Sequence, residues 1–320
     1  MRSSLTLLLS AALALAAPTP PEDDTPLPVL IWHGLGDTFN GDGIKQIGEL
    51  IDSVHEGTLV YPIGLDPDPN SDRTASWFGN TTQQIAQVCA ELAAHPILST
   101  APAVDALGFS QGGIFLRAYV ERCNFPPVRN LVTFGTPHNG ISEFQACATT
   151  DWMCKGAMAL LKMRTWSSFV QNRLVPAQYY RTVDPETGNA SEEYLEYSNL
   201  LADINNEREV KNETYKKNIA SLNKLVMFQF SDDVTVVPRE SEWFAEVNGT
   251  TRTVFPLKDR PIYKEDWLGL KKLDEKDGLE FRIAPGKHMQ LSDKVLKAAF
   301  KEYFGPLKAS SKAPKPKLDL

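Results

Sequence analysis

The chain has 320 residues, of which 42% are apolar, and a formal net charge of −7. This length and apolar share suit one large domain that builds its own hydrophobic core. The acidic balance, with no basic stripe interleaved with aromatic residues, argues against nucleic acid as a partner.

The first residues predict a secretion signal. Residues 1–16 combine an early arginine, Arg2, with the apolar stretch Leu5–Leu15 and small residues around Ala16. The stretch is too short to span a bilayer, so we expect cleavage near Ala16. Residues 17–27 form a Pro-rich segment, and no later run reaches the ~18 apolar residues of a membrane helix. The sequence therefore predicts entry into the secretory pathway without a transmembrane segment.

From residue 28 to residue 304 the pattern predicts a single α/β domain. Strand-like and helix-like stretches alternate, and the helix face before the second strand is marked by Ile44, Ile47, Ile51 and Val54. The predicted strands are Pro28–Trp32, Thr58–Tyr61, Ala103–Leu107, Asn130–Phe134, Leu225–Phe230 and Leu279–Ile283. Such alternation implies a mostly parallel sheet with helices on both faces.

The loop after the first strand predicts part of an oxyanion hole. A His-Gly pair, His33-Gly34, follows the strand directly, which is similar to the oxyanion loops of lipases and esterases. In that arrangement Leu35 donates its backbone N–H. The glycines Gly34 and Gly36 could also begin a dinucleotide fingerprint, but Phe39 stands where the third glycine is needed.

The run Gly108–Gly112 predicts a nucleophilic serine. It has the form G-x-S-x-G and lies between a strand pattern and the helix pattern Ile114–Val120. A serine on such a tight turn needs flanking glycines, and the turn exposes its Oγ at the end of the sheet. We interpret Ser110 as the nucleophile and the N–H of Gln111 as the second oxyanion donor. The alternative is an ordinary Gly-rich turn.

Residues 141–222 change in character and predict a helical insertion above the carboxyl edge of the sheet. The segment lacks a clear strand and is rich in methionine and aromatic residues: Trp152, Met153, Met158, Met163, Trp166, Phe169, Tyr179 and Tyr180. Most of these must hold the insertion onto the sheet. Some are expected to line a groove for an alkyl chain, where flexible methionines tolerate varied fits.

A serine nucleophile needs a histidine base and an acid, and α/β-hydrolases carry them in the order serine, acid, histidine. Of the five histidines, only His138 and His288 follow Ser110, and His138 leaves too little chain for an acid-bearing strand in between. His288 is therefore the predicted base. The acid should follow the strand Leu225–Phe230, where the spacing alone does not distinguish Asp232 from Asp233.

Taken together, these motifs resemble the palmitoyl-protein thioesterases of the α/β-hydrolase superfamily, in particular the lysosomal type 1 enzymes. The resemblance covers roughly residues 28–304. It rests on Ile31–Asp37, Gly108–Gly113, Leu201–Asn205, Asn212–Lys217, Ser241–Phe244, Leu268–Lys271 and His288–Ser292. Two segments depart from it: Phe134–Gly140 reads more like a secreted lipase, and Ile63–Arg73, rich in Asp and Pro, shows no match.

The resemblance implies the site residues position by position. The nucleophile falls on Ser110, the base on His288 and the acid on Asp233 rather than Asp232, and the oxyanion donors fall on Leu35 and Gln111. It also implies disulfides Cys89–Cys123 and Cys147–Cys154, out of three possible pairings of four cysteines. Metal binding is the alternative, but no tight Cys/His spacing supports it, and no cofactor or metal is predicted.

Four N-x-S/T sequons predict surface glycosylation, at Asn80, Asn189, Asn212 and Asn248. The family motif carries the sequon at Asn212. After the domain, residues 305–320 form a Lys/Pro-rich tail that is predicted to be disordered and solvated.

The resemblance implies a serine hydrolase that removes long-chain acyl groups, such as palmitoyl, from S-acylated cysteines in the lysosome or vacuole, or outside the cell. A secreted lipase or carboxylesterase acting on oxyesters is the alternative enzyme. A lipid-binding pseudo-hydrolase without activity is a more remote one.

Overall fold

A computed structural model describes residues 24–143, 152–184, 187 and 189–307. The predicted signal peptide, most of the Pro-rich segment, Cys147 and residues 308–320 of the tail lie outside these ranges. Within the described part of the chain, no helix has the length and apolar composition to cross a membrane.

The core of the fold is a six-stranded parallel sheet with the order β2-β1-β3-β4-β5-β8. A separate antiparallel hairpin is formed by β6 and β7. The strands are β1 (Val29–Trp32), β2 (Val60–Pro62), β3 (Val104–Phe109), β4 (Val128–Phe134), β5 (Lys224–Phe230), β6 (Glu246–Val247), β7 (Val254–Phe255) and β8 (Leu279–Ala284).

Helices cover both faces of this sheet. They are α1 (Asp42–Val54), α2 (Pro69–Trp77), α3 (Thr81–Ala94), α4 (Gln111–Arg122), α5 (Trp152–Arg164), α6 (Ser168–Gln171), α7 (Glu192–Tyr197), α8 (Leu201–Ile204), α9 (Glu213–Ser221), α10 (Pro261–Lys264), α11 (Leu270–Asp274) and α12 (Asp293–Tyr303). Short 3₁₀ helices span Leu98–Thr100, Val175–Tyr179, Arg239–Trp243 and Leu257–Asp259.

The two faces have separate apolar cores. On one face α1 and α12 pack against alternate strand residues such as Ile31, Val132 and Phe228. On the other face α3, α4, α9 and α11 pack against the remaining side chains of the same strands. The predicted parallel sheet with helices on both faces is therefore confirmed. The sheet was predictable because strands that are buried on both sides have continuous apolar runs in the sequence.

The second strand begins later than predicted. Thr58 was expected inside it, but both its backbone N–H and its hydroxyl bond to the carbonyl of His55 at the end of α1. These bonds close a turn, so the strand starts at Val60.

The segment between β4 and β5 contains helices α5 to α9 and, among its described residues, no strand of the central sheet. Its aromatic residues divide into two groups. Trp166 and Tyr180 pack against the core, whereas the side chains of Trp152 and Phe169 are 76% and 54% exposed. The segment thus contributes apolar side chains both to the core and to the exposed surface.

A disulfide between Cys89 and Cys123 joins α3 to the end of α4. It ties together the two helices that precede and follow β3, as predicted. The second predicted pair, Cys147–Cys154, includes a residue outside the described ranges and stays a prediction.

Candidate active site

Ser110 occupies a sharp turn between β3 and α4. Its φ of 50° and ψ of −121° are unusual for a residue with a side chain, and they aim Oγ away from the sheet. The flanking glycines leave the space that this turn requires. A Cβ on Gly108 would lie 2.3 Å from the Cα of Gly113, and one on Gly112 would lie 2.2 Å from the carbonyl oxygen of Trp32.

Three side chains from distant parts of the chain meet at this turn. His288, in the loop between β8 and α12, places Nε2 at 3.1 Å from the Oγ of Ser110. Its Nδ1 lies 2.6 Å from Oδ2 of Asp233, which follows β5. With the proton on Nδ1, the ring donates to Asp233, and Nε2 is free to accept the proton of Ser110.

Asp233 is held in place from two directions. Its side chain is fully buried, and Oδ1 accepts hydrogen bonds from the N–H groups of Thr235 at 2.7 Å and Val236 at 3.0 Å. Burial raises the pKa of Asp233, but the bond to His288 and these backbone N–H groups outweigh that effect and hold the pKa below its ordinary value. The neighbouring Asp232 is exposed, so Asp233 is the aspartate that contacts the histidine.

His138, the other histidine after Ser110, has a structural position. It is fully buried, pairs with the hydroxyl of Thr133 at 3.0 Å and stacks on Phe244. Burial, with Arg117 nearby, lowers its pKa well below the ordinary value. His138 therefore has no contact with the predicted nucleophile.

The predicted oxyanion donors lie on both sides of Ser110. Gln111 is the first residue of α4, and the loop carrying Leu35 packs directly on the turn. A Cβ on Gly34 would be only 3.4 Å from the Cβ of Ser110. The backbone N–H groups of Leu35 and Gln111 donate to no acceptor in the described part of the chain, so both are free to bind a developing oxyanion.

A buried aspartate that the sequence analysis did not identify holds this loop. Asp72, in α2, is fully buried. Its Oδ2 contacts Nε2 of His33 at 3.1 Å and accepts from the N–H of Phe39 at 2.8 Å, while Oδ1 accepts from the N–H of Leu65 at 2.7 Å. The segment Ile63–Arg73 thus anchors both ends of the oxyanion loop. The signal available in the sequence was only an aspartate in a stretch rich in Asp and Pro.

A threonine supports the turn from below. The hydroxyl of Thr136 donates to the backbone carbonyl of Ser110 at 2.9 Å, and the N–H of Ser110 donates to the carbonyl of Phe134 at 2.8 Å. A Cβ on Gly113 would lie 2.0 Å from the Thr136 hydroxyl oxygen. The segment Phe134–Gly140 therefore supplies a hydrogen bond that holds the turn at Ser110.

An apolar cavity of about 700 Å³ opens beside Ser110 and His288. Its walls come from α1, α2, α5, the 3₁₀ helix Val175–Tyr179 and the loop before α12. They include Ile44, Ile47, Trp77, Met158, Tyr179 and Leu291. The insertion therefore contributes Met158 and Tyr179 to the cavity, and an alkyl chain as the occupant stays a prediction. The size falls within the ~300–1,000 Å³ typical of small-molecule sites.

The asparagines of the four predicted sequons differ in their exposure. Asn189 and Asn212 are exposed, whereas Asn80 and Asn248 are partly buried. The side-chain amide of Asn80 also donates to Oδ1 of Asn172 at 2.7 Å. Among the described residues, no group of three His, Cys, Asp or Glu side chains is placed to hold a metal ion.

A parallel sheet, a nucleophile turn after its third strand, an acid after a later strand and a histidine in the last loop define the α/β-hydrolase class. Within that class, the family model described as palmitoyl protein thioesterase matches residues 28–288. The chain belongs to the palmitoyl-protein thioesterase family.

Curated relatives agree with this assignment. The chain is 37% identical over 281 residues to "Palmitoyl-protein thioesterase 1" of Caenorhabditis elegans, covering 87% of this chain and 92% of that protein. It is 33% identical over 288 residues to "Palmitoyl-protein thioesterase 3" of Dictyostelium discoideum, covering 89% and 91%. It is also 35% identical to a thioesterase–dolichyl pyrophosphate phosphatase fusion of Schizosaccharomyces pombe, covering 87% of this chain but 43% of the fusion.

Proposed function

We propose that this protein hydrolyses long-chain acyl thioesters and removes palmitoyl-type groups from S-acylated cysteines of proteins or peptides. The observation that carries the proposal is the contact of Ser110, His288 and Asp233 at the mouth of an apolar cavity of about 700 Å³. Membership of the thioesterase family supports the thioester as the bond that is cleaved.

In the first half of the reaction, His288 Nε2 takes the proton of Ser110 while Oγ attacks the thioester carbonyl carbon. The negative charge that develops on the carbonyl oxygen is stabilised by the N–H groups of Leu35 and Gln111. Collapse of this intermediate breaks the carbon–sulfur bond and leaves the acyl group on Ser110. The departing cysteine sulfur receives the proton from His288.

In the second half, His288 removes a proton from water, which attacks the acyl-enzyme carbonyl. The ester bond to Ser110 breaks, the proton returns to Oγ and the fatty acid leaves. Asp233 orients the imidazole and stabilises its charged form in both halves. Because its pKa is held below the ordinary value, Asp233 remains ionised at moderately acidic pH.

The cavity supplies the binding energy for the acyl chain. Each buried CH₂ group contributes about 0.8 kcal/mol, so burial of a long acyl chain in this cavity supplies most of the free energy of substrate binding. Met158 and Leu291 line the cavity with flexible or branched apolar side chains that accommodate an alkyl chain.

We further propose that the enzyme acts in the secretory pathway, with the lysosome or vacuole as its destination. The disulfide between Cys89 and Cys123 supports an oxidising compartment. Relatives named "Lysosomal thioesterase PPT2", from rat and mouse, are 28% identical to this chain.

A matched pair of substrates tests the reaction. We expect kcat/KM for acyl thioesters to rise with chain length towards palmitoyl and to exceed that of the oxyester with the same acyl group. Rates are corrected for uncatalysed hydrolysis and measured below micelle concentrations, with Ser110→Ala as the inactive control. A preference for short acyl groups or for triglyceride emulsions would instead identify an esterase or a lipase.

A second pair of variants tests the acid. We expect Asp233→Asn to lower kcat about 10⁴-fold, as for the acid of other serine triads. The exposed neighbour provides the control, because Asp232→Asn makes the same chemical change without touching His288. If Asp232→Asn is the damaging change, the assignment of the acid is wrong.

A further inference from the structure

A second carboxyl group is buried behind Asp233. Glu242 lies on the 3₁₀ helix Arg239–Trp243, which packs on β5, and is only 1% exposed. Its carboxyl group interacts with that of Asp233 and with the backbone of Phe230. In the described structure, neither oxygen of Glu242 has a hydrogen-bond donor in good geometry. A buried carboxylate in such a position would be uncompensated.

Among the described residues, no cation pairs with Glu242. The charged groups that face Glu242 are Asp233 and Arg239. Arg239 is 44% exposed, and its guanidinium contacts Glu240 and the carbonyl of Ser231 instead. Burial, reinforced by the charge of Asp233, raises the pKa of Glu242 to about 10. Two carboxylates in contact in a buried site cannot both ionise at neutral pH.

Asp233 has room for another donor. A carboxylate offers about four lone-pair sites. Three donors are already identified, namely Nδ1 of His288 and the N–H groups of Thr235 and Val236. A protonated Glu242 has an O–H that can donate to Asp233 and supply its fourth hydrogen bond. The same bond gives the buried carboxyl group of Glu242 a partner.

We propose that Glu242 is a positioning residue that remains protonated and donates a hydrogen bond to Asp233, fixing the carboxylate against His288 and keeping it ionised in acid. The inference rests on the proposed function, because it assigns Asp233 to the triad. Glu242 acts through Asp233 and contacts neither the substrate nor the reacting atoms.

Two substitutions separate this role from simple packing. Glu242→Gln keeps the shape and an N–H donor but cannot ionise. Glu242→Leu fills a similar volume with an apolar side chain and removes the donor. The readout is the second-order rate constant for labelling of Ser110 by a fluorophosphonate, measured from acidic to alkaline pH. This rate depends on activation of the serine and is independent of which acyl group the enzyme prefers.

We expect Glu242→Leu to label about 10- to 100-fold more slowly, since a lost hydrogen bond to a charged group has that weight. The acid limb of its pH–rate profile, where the labelling rate falls as pH decreases, should also move to higher pH. Glu242→Gln should restore the rate to within about threefold and keep the acid limb, because the donor is retained. The Gln variant should also stay active at alkaline pH where the wild-type protein loses activity.

An infrared measurement gives a second readout that needs no turnover. In the Ser110→Ala background at neutral pH, Glu242→Gln should remove one C=O stretch of a protonated carboxyl group. The band is read from the difference spectrum of the two proteins, in which other protonated carboxyl groups cancel, such as Glu121, whose pKa is raised to about 8 by burial. Presence of this band together with the changed acid limb supports the inference even if acyl thioesters are not hydrolysed, in which case only the proposed function fails. Thermal unfolding of each variant identifies those that are folded.

Three results would overturn the proposal. The first is a difference spectrum in which Glu242→Gln removes no protonated-carboxyl band. The second is a folded Glu242→Leu variant whose rate and acid limb equal those of the wild type. The third is a folded Glu242→Gln variant as slow as Glu242→Leu, because a neutral donor would then be insufficient.

Discussion

Replacement of Asp72 by asparagine should weaken both the fold and the oxyanion hole. The carboxylate binds three groups through two oxygens, and an amide has only one oxygen to replace them. At least one buried N–H, from Leu65 or Phe39, therefore loses its acceptor, and His33 loses a charged partner. Each buried group left without its hydrogen-bond partner costs about 1–3 kcal/mol. We expect urea unfolding of Asp72→Asn to show a loss of that size.

The same change should lower kcat more than it raises KM, because the loop holding Leu35 contributes to the transition state rather than to acyl binding. The control is Asp68→Asn, in the same segment. Asp68 caps α2 by accepting from the N–H of Ser71, a role that asparagine fills equally well. A stability loss below about 1 kcal/mol with unchanged kcat would refute the reasoning, since typical surface substitutions cost no more than this.

The pH dependence of this effect has a definite sign. Burial raises the pKa of Asp72, but His33 and the N–H groups of Leu65 and Phe39 outweigh it, and the pKa lies below the ordinary value of 3.8. A depressed folded-state pKa gives stability that is present above the unfolded value and lost as pH falls through the folded value. The stability gap between wild type and Asp72→Asn should therefore narrow below about pH 4.

Two further changes test the support of the site and of the fold. Gly135→Ala should slow turnover about 10- to 100-fold while the protein stays folded, because its Cβ would lie 2.9 Å from Cε1 of His288. The control is Gly249→Ala, whose Cβ would have no atom within 4 Å. Equal activities of the two variants in steady-state assays would contradict the role of His288 as the base. Replacing Cys89 and Cys123 by serine should cost about 4 kcal/mol in urea unfolding for a sequence separation of 34; no loss would contradict that role for the bridge.

Much of the central sheet could be predicted from sequence because strands buried on both faces read as uninterrupted apolar runs. The turn at Ser110 was predictable for a local reason, since glycines are required on both sides of it. The order of the triad then limited the base to His288. The choice of Asp233 over Asp232 needed the family resemblance, because adjacent aspartates after a strand have the same local pattern. The structure separates them by burial and by contact with the histidine.

The supporting residues could not be predicted, because their roles depend on contacts between distant segments. Asp72 is 39 positions from His33 in sequence, and nothing around it indicates a buried acceptor. Thr136 resembles an ordinary turn residue until its hydroxyl meets the carbonyl of Ser110. Glu242 follows the same rule: a glutamate in a short helical turn normally faces solvent, and only the packing of that turn on β5 places it behind Asp233.

The sheet order has a consequence for the protein as it leaves the ribosome. After β1 and β2 pair, β3 adds on the free side of β1, and β4, β5 and β8 then each add beside the previous strand of the sheet, so the sheet extends in the order in which it is synthesised. The proposed nucleophile emerges with β3 and the acid after β5, but His288 comes only after β8. A nascent chain therefore completes most of its sheet while lacking its base. The proposed nucleophile stays without its base until nearly the whole domain has been translated.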